Sequence, residues 1–347
     1  MLRGAILGLG NVAVHGHLPG WLARPDVRIE AVADLDPEHQ AVAARLLPGA
    51  RWYGSAEELL AREGLDLVDI STPPSSHAGL IRAALDRGCH VLCEKPLVPS
   101  SEVLADLAHV AAARGRILHT VHNWHHAPIV ERTGRLIAAG AVGPVDTVAW
   151  ETLRLRPAAA GAGRAGNWRV DPAIAGGGVL TDHGWHVFYV LRRWIGEDPV
   201  TVGATLEQRR HRQWAVEDTA RIRLTFPATR ADILLTWAAD ERRTRAEVRG
   251  RDGVLRLDDE ELVLARDGAD ERWSCPPGLS DGSHHPEWFH AVLGEFLDAV
   301  GGGPSPGNLS EASLCVRLEA LARESNRRGG AKLPVAAPGR AERQSVA

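Results

Sequence analysis

The sequence lacks features that would place the protein in several broad functional classes. Its 347 residues contain no run of about 18 consecutive apolar residues, so no transmembrane helix is indicated. The 40 Lys and Arg are balanced by 44 Asp and Glu, and this charge offers no basic stripe for nucleic acid. We therefore expect a soluble, cytoplasmic protein of about two domains that binds neither membranes nor nucleic acid.

Cysteine is also scarce, and its placement argues against a disulfide framework or a zinc site. The four cysteines form no C-x-x-C pair, and Cys89 and Cys93 lie in an apolar run where a buried thiol is expected. The 16 histidines leave a metal-dependent hydrolase built on His122, His125 and His126 as an alternative. Because these three follow no metal-ligand spacing, we predict no metal site.

Strand-like and helical segments alternate through the first third of the chain. Apolar runs typical of strands covered on both faces are separated by four helical stretches, predicted over 18–23, 37–47, 77–87 and 100–114. This alternation predicts a parallel sheet with helices on both faces.

After about residue 125 the pattern changes to short segments of period-two alternation, such as 220–226 and 231–239. They predict an open, mainly antiparallel sheet with one solvated face. On that face Trp237 is an exposed apolar candidate for the interface of a homodimer or homotetramer. Helices are predicted over 286–300 and 311–327, and the tail lacks apolar periodicity.

The segment Gly8-Leu9-Gly10-Asn11-Val12-Ala13 is a G-x-G-x-x-A turn between the first strand and a helix. Gly8 permits the tight turn, and Gly10 lets the backbone approach a pyrophosphate at the helix N-terminus. Asp34 ends the next strand, where a carboxylate accepts hydrogen bonds from ribose hydroxyls; an N-cap of the following helix is the alternative. Because this carboxylate repels a 2′-phosphate, we expect NAD as cofactor, with NADP as the alternative.

These observations define the predicted organisation. Residues 1–122 are a Rossmann NAD(P)-binding domain of the α/β class. Residues 123–333 are an α+β domain for substrate binding and oligomerisation. Residues 334–347 are a disordered tail.

Four parts of the sequence together resemble the glucose–fructose oxidoreductase / inositol dehydrogenase / MocA family, and they span nearly the whole chain. They are the glycine turn, Asp34, residues 71–98 and the segment GGGVLTDHGWH that begins at Gly176. The most specific elements are Glu94-Lys95-Pro96 at a strand end and Asp182-x-x-x-His186 after a triple glycine. The resemblance implies NAD(P)-dependent hydride transfer on a sugar, cyclitol or related polyhydroxy compound.

The resemblance also implies two sets of site residues. The cofactor site consists of Gly8, Gly10, Asn11, Val12, Asp34, Ser71, Thr72, Pro73, His77, Glu94, Lys95 and Asn123. The substrate site consists of Lys95, Trp168, Arg169, Asp182 and His186. The sequence departs from the family at Val121, where Gly is usual, and at His125, where Arg or Lys is usual. Whether His125, His284 or His285 contacts substrate stays open.

Lys95, His186 and Asp182 are the candidate catalytic residues. Lys95 follows a parallel strand at the edge where ligands bind in open α/β sheets, and partial burial would lower its pKa towards neutrality. Histidine titrates near neutral pH and suits proton transfer. Asp182 and His186, four apart on a helix, share one face.

The predicted function is that of an NAD(P)-dependent dehydrogenase or reductase acting on CH–OH groups, in which Lys95 or His186 takes the hydroxyl proton. Two alternatives share these motifs. One is a redox-assisted elimination or hydrolysis of a glycoside, in which the hydride is returned. The other is a non-catalytic cofactor-binding sensor, against which the presence of Lys95 and His186 argues.

Overall fold

The computed structural model describes residues 1–159, 166–266, 268–303 and 307–335, and its N-terminal part is a doubly wound parallel sheet. The six strands are β1 Leu2–Leu7, β2 Val27–Ala33, β3 Arg51–Tyr53, β4 Leu67–Ile70, β5 His90–Cys93 and β6 Leu118–Thr120. Their order is β3-β2-β1-β4-β5-β6. The chain reverses direction across the sheet between β1 and β4, and dinucleotides bind at this type of crevice.

Five helices connect these strands. They are α1 Leu18–Leu22, α2 His39–Leu46, α3 Ala56–Arg62, α4 His77–Asp86 and α5 Ser101–Ala113. Ser55 and Ser100 are N-caps whose side chains accept from the N–H groups of Glu58 and Val103. Strand β3 and helix α3 were not predicted, because a three-residue strand carries too little alternation to detect.

The second part contains a nine-stranded sheet, which confirms the predicted, mainly antiparallel sheet. Its strands are β7 Val145–Leu153, β8 Thr201–Glu207, β9 Thr219–Thr225, β10 Arg230–Thr236, β11 Arg243–Gly250, β12 Val254–Asp258, β13 Glu261–Arg266, β14 Ala269–Ser274 and β15 Leu333–Pro334. Their order is β14-β13-β12-β11-β7-β10-β9-β8-β15. The β7–β10 pair is parallel, and the other neighbours run antiparallel.

Helices that follow residue 127 hold the two sheets together. They are α6 Pro128–Ala138, α7 Pro172–Ala175, α8 Trp185–Ile195, α9 Pro286–Val300 and α10 Asn308–Arg327. Phe289 and Phe296 of α9 belong to the same buried cluster as Ile6 of β1. In α10, the Asn308 side chain bonds both backbone groups of Thr120. The segment before α9 is thereby brought to the carboxyl edge of the Rossmann sheet.

The expectation that Trp237 lies on the solvated face of the second sheet is wrong. Its side chain is 0% exposed and lies at the end of β10, against the interior. The outward face instead carries charged side chains that pair across strands, such as Arg223 with Asp232 and Arg256 with Glu247. Trp237 is therefore no candidate for a subunit interface.

Two predictions fall mainly on residues outside those described. The Ala/Gly-rich connection at 157–166 is described only at its ends, and of the predicted tail at 334–347 only residues 334 and 335 are described. Pro334 lies in β15, where it pairs with Thr201. Within the described ranges, no helix has the length and apolar character needed to cross a bilayer.

Candidate active site

A cavity of 1520 Å³ opens between the carboxyl edge of the Rossmann strands and the second sheet. Its volume exceeds the roughly 300–1,000 Å³ of most small-ligand pockets, which gives room for a dinucleotide and a second ligand. Every predicted site residue except His77 lines it. The sequence motifs therefore meet in one place, although they come from both halves of the chain.

The glycine turn leaves its backbone open to the cavity. Gly8 has φ +91°, and a Cβ there would lie 2.9 Å from the backbone nitrogen of Thr72, so only glycine fits. A Cβ at Gly10 would meet nothing within 4 Å. A pyrophosphate can therefore approach this backbone closely, as the turn requires of a dinucleotide site.

Asp34 lies at the far end of the same edge. Its oxygens accept from the N–H groups of Leu9 at 2.6 Å and Asp36 at 2.8 Å, which orients the carboxylate and leaves lone pairs for ribose hydroxyls. The N-cap alternative does not hold, because α2 begins five residues later with Glu38 at its N-cap. His39 Nδ1 lies 3.1 Å from Asp34 Oδ2, a neighbour that sequence reasoning missed.

The loop after β4 packs against the glycine turn and hydrogen-bonds to it. The Ser71 hydroxyl donates to the carbonyl of Gly8 at 2.7 Å. The prediction that His77 lies along the cofactor is not supported, because this side chain is fully buried beneath the loop. Its ring nitrogens lie 2.8 Å from the Thr72 carbonyl and 2.9 Å from the Pro96 carbonyl. His77 thus joins two loops that carry site residues.

Lys95 and Asp182 form an ion pair across the cavity. The Lys95 ammonium donates to Asp182 Oδ1 at 2.9 Å and to its main-chain carbonyl at 2.8 Å. Burial opposes ionisation of Asp182, but the charges of Lys95 and nearby basic groups outweigh it and lower the pKa of this carboxyl. Since an ammonium has three N–H donors, one remains for a ligand.

A buried network of charged side chains fixes the backbone of Lys95. His17 lies with Nδ1 2.9 Å from Asp69 and Nε2 3.0 Å from Glu94, and Glu94 accepts from the backbone N–H of Lys95. Burial alone would lower the pKa of His17, but the charge and hydrogen bond of Asp69, joined by those of Glu94, raise it to about 9. A cationic His17 between two carboxylates therefore fixes the backbone from which Lys95 projects.

The charge on His17 predicts how stability depends on pH. Its folded-state pKa of about 9 exceeds the ordinary 6.5, so its contribution is complete below about pH 6.5 and is lost as pH rises through 9. We expect the free energy of unfolding to fall by about 3 kcal/mol over that window. Denaturant titrations should show a smaller fall for His17→Gln than for the wild type. The variant His290→Gln, at an exposed position, is the control. An equal fall in the free energy of unfolding with pH in all three proteins would contradict this role.

His186 lies deep in the cavity on the opposite side from the glycine turn. Its ring stacks on Trp124 with 4.6 Å between centroids, and its Nδ1 lies 3.0 Å from the Tyr189 hydroxyl. That hydroxyl accepts from the Trp124 backbone N–H at 2.9 Å, which leaves its hydrogen to donate to Nδ1. This pattern assigns the ring proton to Nε2. Burial, reinforced by Lys95, holds the pKa of His186 well below its usual value, so the ring is neutral near pH 7.

Asp182 and His186 lie on one face, but the helix between them is irregular. Asp182 belongs to a π-helical turn, Leu180–Gly184, and His186 to α8. The preceding glycines serve close packing, since a Cβ at Gly178 would clash with the backbone of Glu217. The turn also brings His183 to the cavity with its Nε2 3.6 Å from Asp182, a site residue that sequence reasoning missed.

Other candidate residues also line the cavity. The guanidinium of Arg169 lies 4.3 Å above the Trp168 ring. Asn123 presents a buried Oδ1 without a hydrogen-bond partner in the described structure. His284 and His285 line the cavity, and His285 stacks on Trp288 at 3.6 Å.

The histidines considered for a metal site do not form one ligand set. His122 Nδ1 lies 3.1 Å from Glu311, whereas His125 and His126 both approach Glu295, at 3.4 and 3.5 Å. The ligand atoms of this second group lie within 4.8 Å of one another, outside the cavity. His125 is therefore not a cavity contact.

The fold and site define a dinucleotide-binding oxidoreductase. Residues 2–122 match the model described as "Oxidoreductase family, NAD-binding Rossmann fold", and residues 130–256 match the GFO/IDH/MocA C-terminal domain. The chain belongs to the GFO/IDH/MocA oxidoreductase family, as its motifs predicted.

Similar proteins include several sugar dehydrogenases. D-apiose dehydrogenase from Paraburkholderia graminis is 30% identical over 80% of this chain and 74% of that protein. D-xylose 1-dehydrogenase (NADP+) 2 from Haloferax volcanii is 32% identical over 59% of this chain and 60% of its own length. The structure of GenD2 from gentamicin A biosynthesis, in complex with NAD, is 26% identical with a TM-score of 0.81 over 97% of each chain.

Proposed function

We propose that this protein is an NAD-dependent dehydrogenase or reductase acting on a CH–OH group of a sugar, cyclitol or related polyhydroxy compound. The observation that carries the proposal is the Lys95–Asp182 pair, which lies in one cavity with His186 and with the open backbone of Gly10. The sugar dehydrogenases among the relatives support the substrate class. A cytoplasmic location and a homodimer or homotetramer remain predictions from the sequence.

The cavity residues fit a nicotinamide dinucleotide along the Rossmann edge. Gly10 would accommodate the pyrophosphate and Asp34 the adenosine ribose. Asn123 Oδ1, at the other end, has no hydrogen-bond partner among the described residues and is an acceptor suited to the carboxamide N–H of nicotinamide. When bound, the cofactor supplies the hydride acceptor or donor.

Lys95 handles the proton in this proposal. In reduction, its third N–H donates a proton to the oxygen of the forming alcohol; in oxidation, the neutral amine takes that proton back. Asp182 holds the Lys95 nitrogen at a fixed position through the bond of 2.9 Å. Glu94 and His17 hold the backbone of the same residue.

His186 acts as a hydrogen-bond donor and not as the base. Its Nε2–H is the ring group left for the cavity once Tyr189 bonds Nδ1, so no ring lone pair faces the cavity to accept a proton, and the low pKa makes the ring a weak base. It would bind the substrate oxygen and stabilise the charge that develops there. Lys95 and His186 then act on the substrate from the two domains.

Asp34 predicts the cofactor preference. A 2′-phosphate would meet this carboxylate at close range, and we expect NAD to bind about tenfold or more tightly than NADP. Replacing Asp34 with Ser and Leu35 with Arg should move the preference towards NADP, as measured by fluorescence titration of both reduced cofactors. Asp36→Ser, which changes a neighbouring carboxylate, should keep it. Equal affinities in the wild type would show that Asp34 has another role.

A substrate panel tests the proposed function. The enzyme is incubated with aldoses, uronates and cyclitols plus NAD, and with the matching ketones or lactones plus NADH, while the absorbance of reduced nicotinamide is followed. We expect turnover with at least one polyhydroxy compound, and loss of that turnover in Lys95→Ala. No hydride transfer in either direction across the panel would instead favour a cofactor-binding sensor.

A further inference from the structure

The wall of the cavity that faces the Rossmann sheet is rich in positive charge. Four arginines from residues 123–333 line the cavity, namely Arg154, Arg156, Arg169 and Arg242, and Asp182 is the carboxylate that the described residues of this part contribute to the lining. We propose that the substrate carries an anionic group, a carboxylate or a phosphate, which Arg154 and Arg242 bind beside the reacting carbinol. This inference rests on the proposed function and specifies the substrate class within it.

The pairing of β7 with β11 brings Arg154 and Arg242 close to each other. Leu153 at the end of β7 pairs with Arg243 at the start of β11 in an antiparallel register. Arg154 follows Leu153 and Arg242 precedes Arg243, so the two arginines adjoin this last pair, and burial followed by the charge of Arg242 lowers the pKa of Arg154. A bound anion would relieve this repulsion between the two cations.

Arg154 is a buried cation held by neutral groups. Only 3% of its surface is exposed, and its guanidinium donates to the carbonyls of Leu153 and Arg243 and to the hydroxyl of Thr244. Of its five N–H groups, two are left without a partner among the described residues. Burial, together with the nearby Arg242, lowers its pKa to about 10. A buried charge of this kind is costly unless a counter-ion compensates it.

Arg242 is more exposed than Arg154, but neutral groups hold it as well. Its guanidinium donates to the carbonyls of Ser280 and Gly282 and to the hydroxyl of Ser283. No carboxylate in the described ranges lies within ion-pair distance of either arginine. The nearby Asp259 and Asp281 do not line the cavity and accept instead from backbone N–H groups. Both guanidiniums are thus positioned in advance for a ligand from the cavity.

Trp237 adds a further donor to this wall. Its indole N–H is buried without a hydrogen-bond partner in the described structure, and the side chain lines the cavity. The phosphates of the cofactor do not explain these donors, because the glycine turn that accommodates them lies on the Rossmann side. The anion that this wall would bind therefore belongs to the second ligand.

Calorimetric titration of the enzyme saturated with NADH tests the proposal. The probes are the matched pairs D-glucose and D-glucuronate, D-galactose and D-galacturonate, and D-glucose and D-glucose 6-phosphate. We expect at least one anionic member to bind about tenfold or more tightly than its neutral partner, since hydrogen bonds to charged groups are the stronger ones. The uronates and the phosphate ester show which anion the site prefers.

Variants assign the binding to this wall. The variant Arg242→Gln removes one guanidinium and leaves the hydrogen bonds of Arg154 in place. It should remove the preference for the anionic member. Arg221→Gln, an exposed arginine of β9 outside the cavity, should retain it. Equal binding within every pair, or a preference that survives Arg242→Gln, would overturn the proposal. If only neutral sugars are turned over, the anion-site proposal is wrong and the proposed function stands. If an anionic sugar binds but no hydride is transferred, the anion site stands and the proposed function is wrong.

Discussion

Replacing Lys95 with alanine is expected to lower turnover by about 10²- to 10⁴-fold, the range for loss of a positioned acid or base. The ammonium is the proposed proton donor, and its ion pair with Asp182 is lost at the same time. The affinity for NADH, measured by fluorescence titration, should stay within a few-fold, because in the proposed site the glycine turn and Asp34 provide the main cofactor contacts.

The composition offers a matched control for this variant. The chain has only one other lysine, the exposed Lys332 near β15, and Lys332→Ala should leave turnover unchanged. Retention of full turnover in Lys95→Ala would exclude Lys95 as the proton carrier. Loss of the cofactor affinity or of the melting transition would make its role structural.

Replacing His186 with alanine is expected to lower turnover by about 10²-fold or more, as when a single donor to a developing oxyanion is removed. The Tyr189→Phe variant separates the donor from the residue that orients it. It keeps the imidazole but removes the hydroxyl that fixes the proton on Nε2.

We expect Tyr189→Phe to lower turnover less than His186→Ala and to change the pH dependence of turnover, because both ring tautomers become accessible. Steady-state rates from pH 6 to 9 would measure this, with wild-type protein assayed alongside. A Tyr189→Phe profile identical to that of the wild type would show that Tyr189 does not set the tautomer. Full turnover in His186→Ala would remove His186 from the site.

The sequence predicts the site residues that belong to short local motifs. The glycine turn, Asp34 and Lys95 each follow a strand of one parallel sheet, and the carboxyl ends of such strands share an edge. Asp182 and His186 were found because four residues of helix bring them to one face, even though the helix is irregular there.

The residues that sequence reasoning missed are brought to the site by tertiary structure. His17 acts through Asp69 and Glu94, which lie 52 and 77 positions away. Arg154 and Arg242 meet only through the pairing of β7 with β11, and by sequence they resemble the other arginines of this chain.

The errors have the same origin. The sequence does not show whether a histidine at the start of a helix points into a cavity or into the interior. The ring of His77 points into the interior, towards the Thr72 and Pro96 carbonyls. Trp237 continues the alternation of β10, since it shares a face with the buried Ile233 and Leu235 and its N–H donates to the Asp218 carbonyl. Alternation groups these residues on one face, but the packing of the second sheet decides that this face is the buried one.

The stoichiometry between reduced nicotinamide and oxidised sugar tests the central claim most directly. It separates net dehydrogenation from a glycoside elimination that returns the hydride, since both would use Lys95 and bound NAD. Product is quantified by chromatography while the absorbance of reduced cofactor is recorded in the same reaction, with candidate sugars and their glycosides. We predict one reduced cofactor for each oxidised product. Release of free aglycone with only a trace of NAD, and without accumulation of reduced cofactor, would contradict this account.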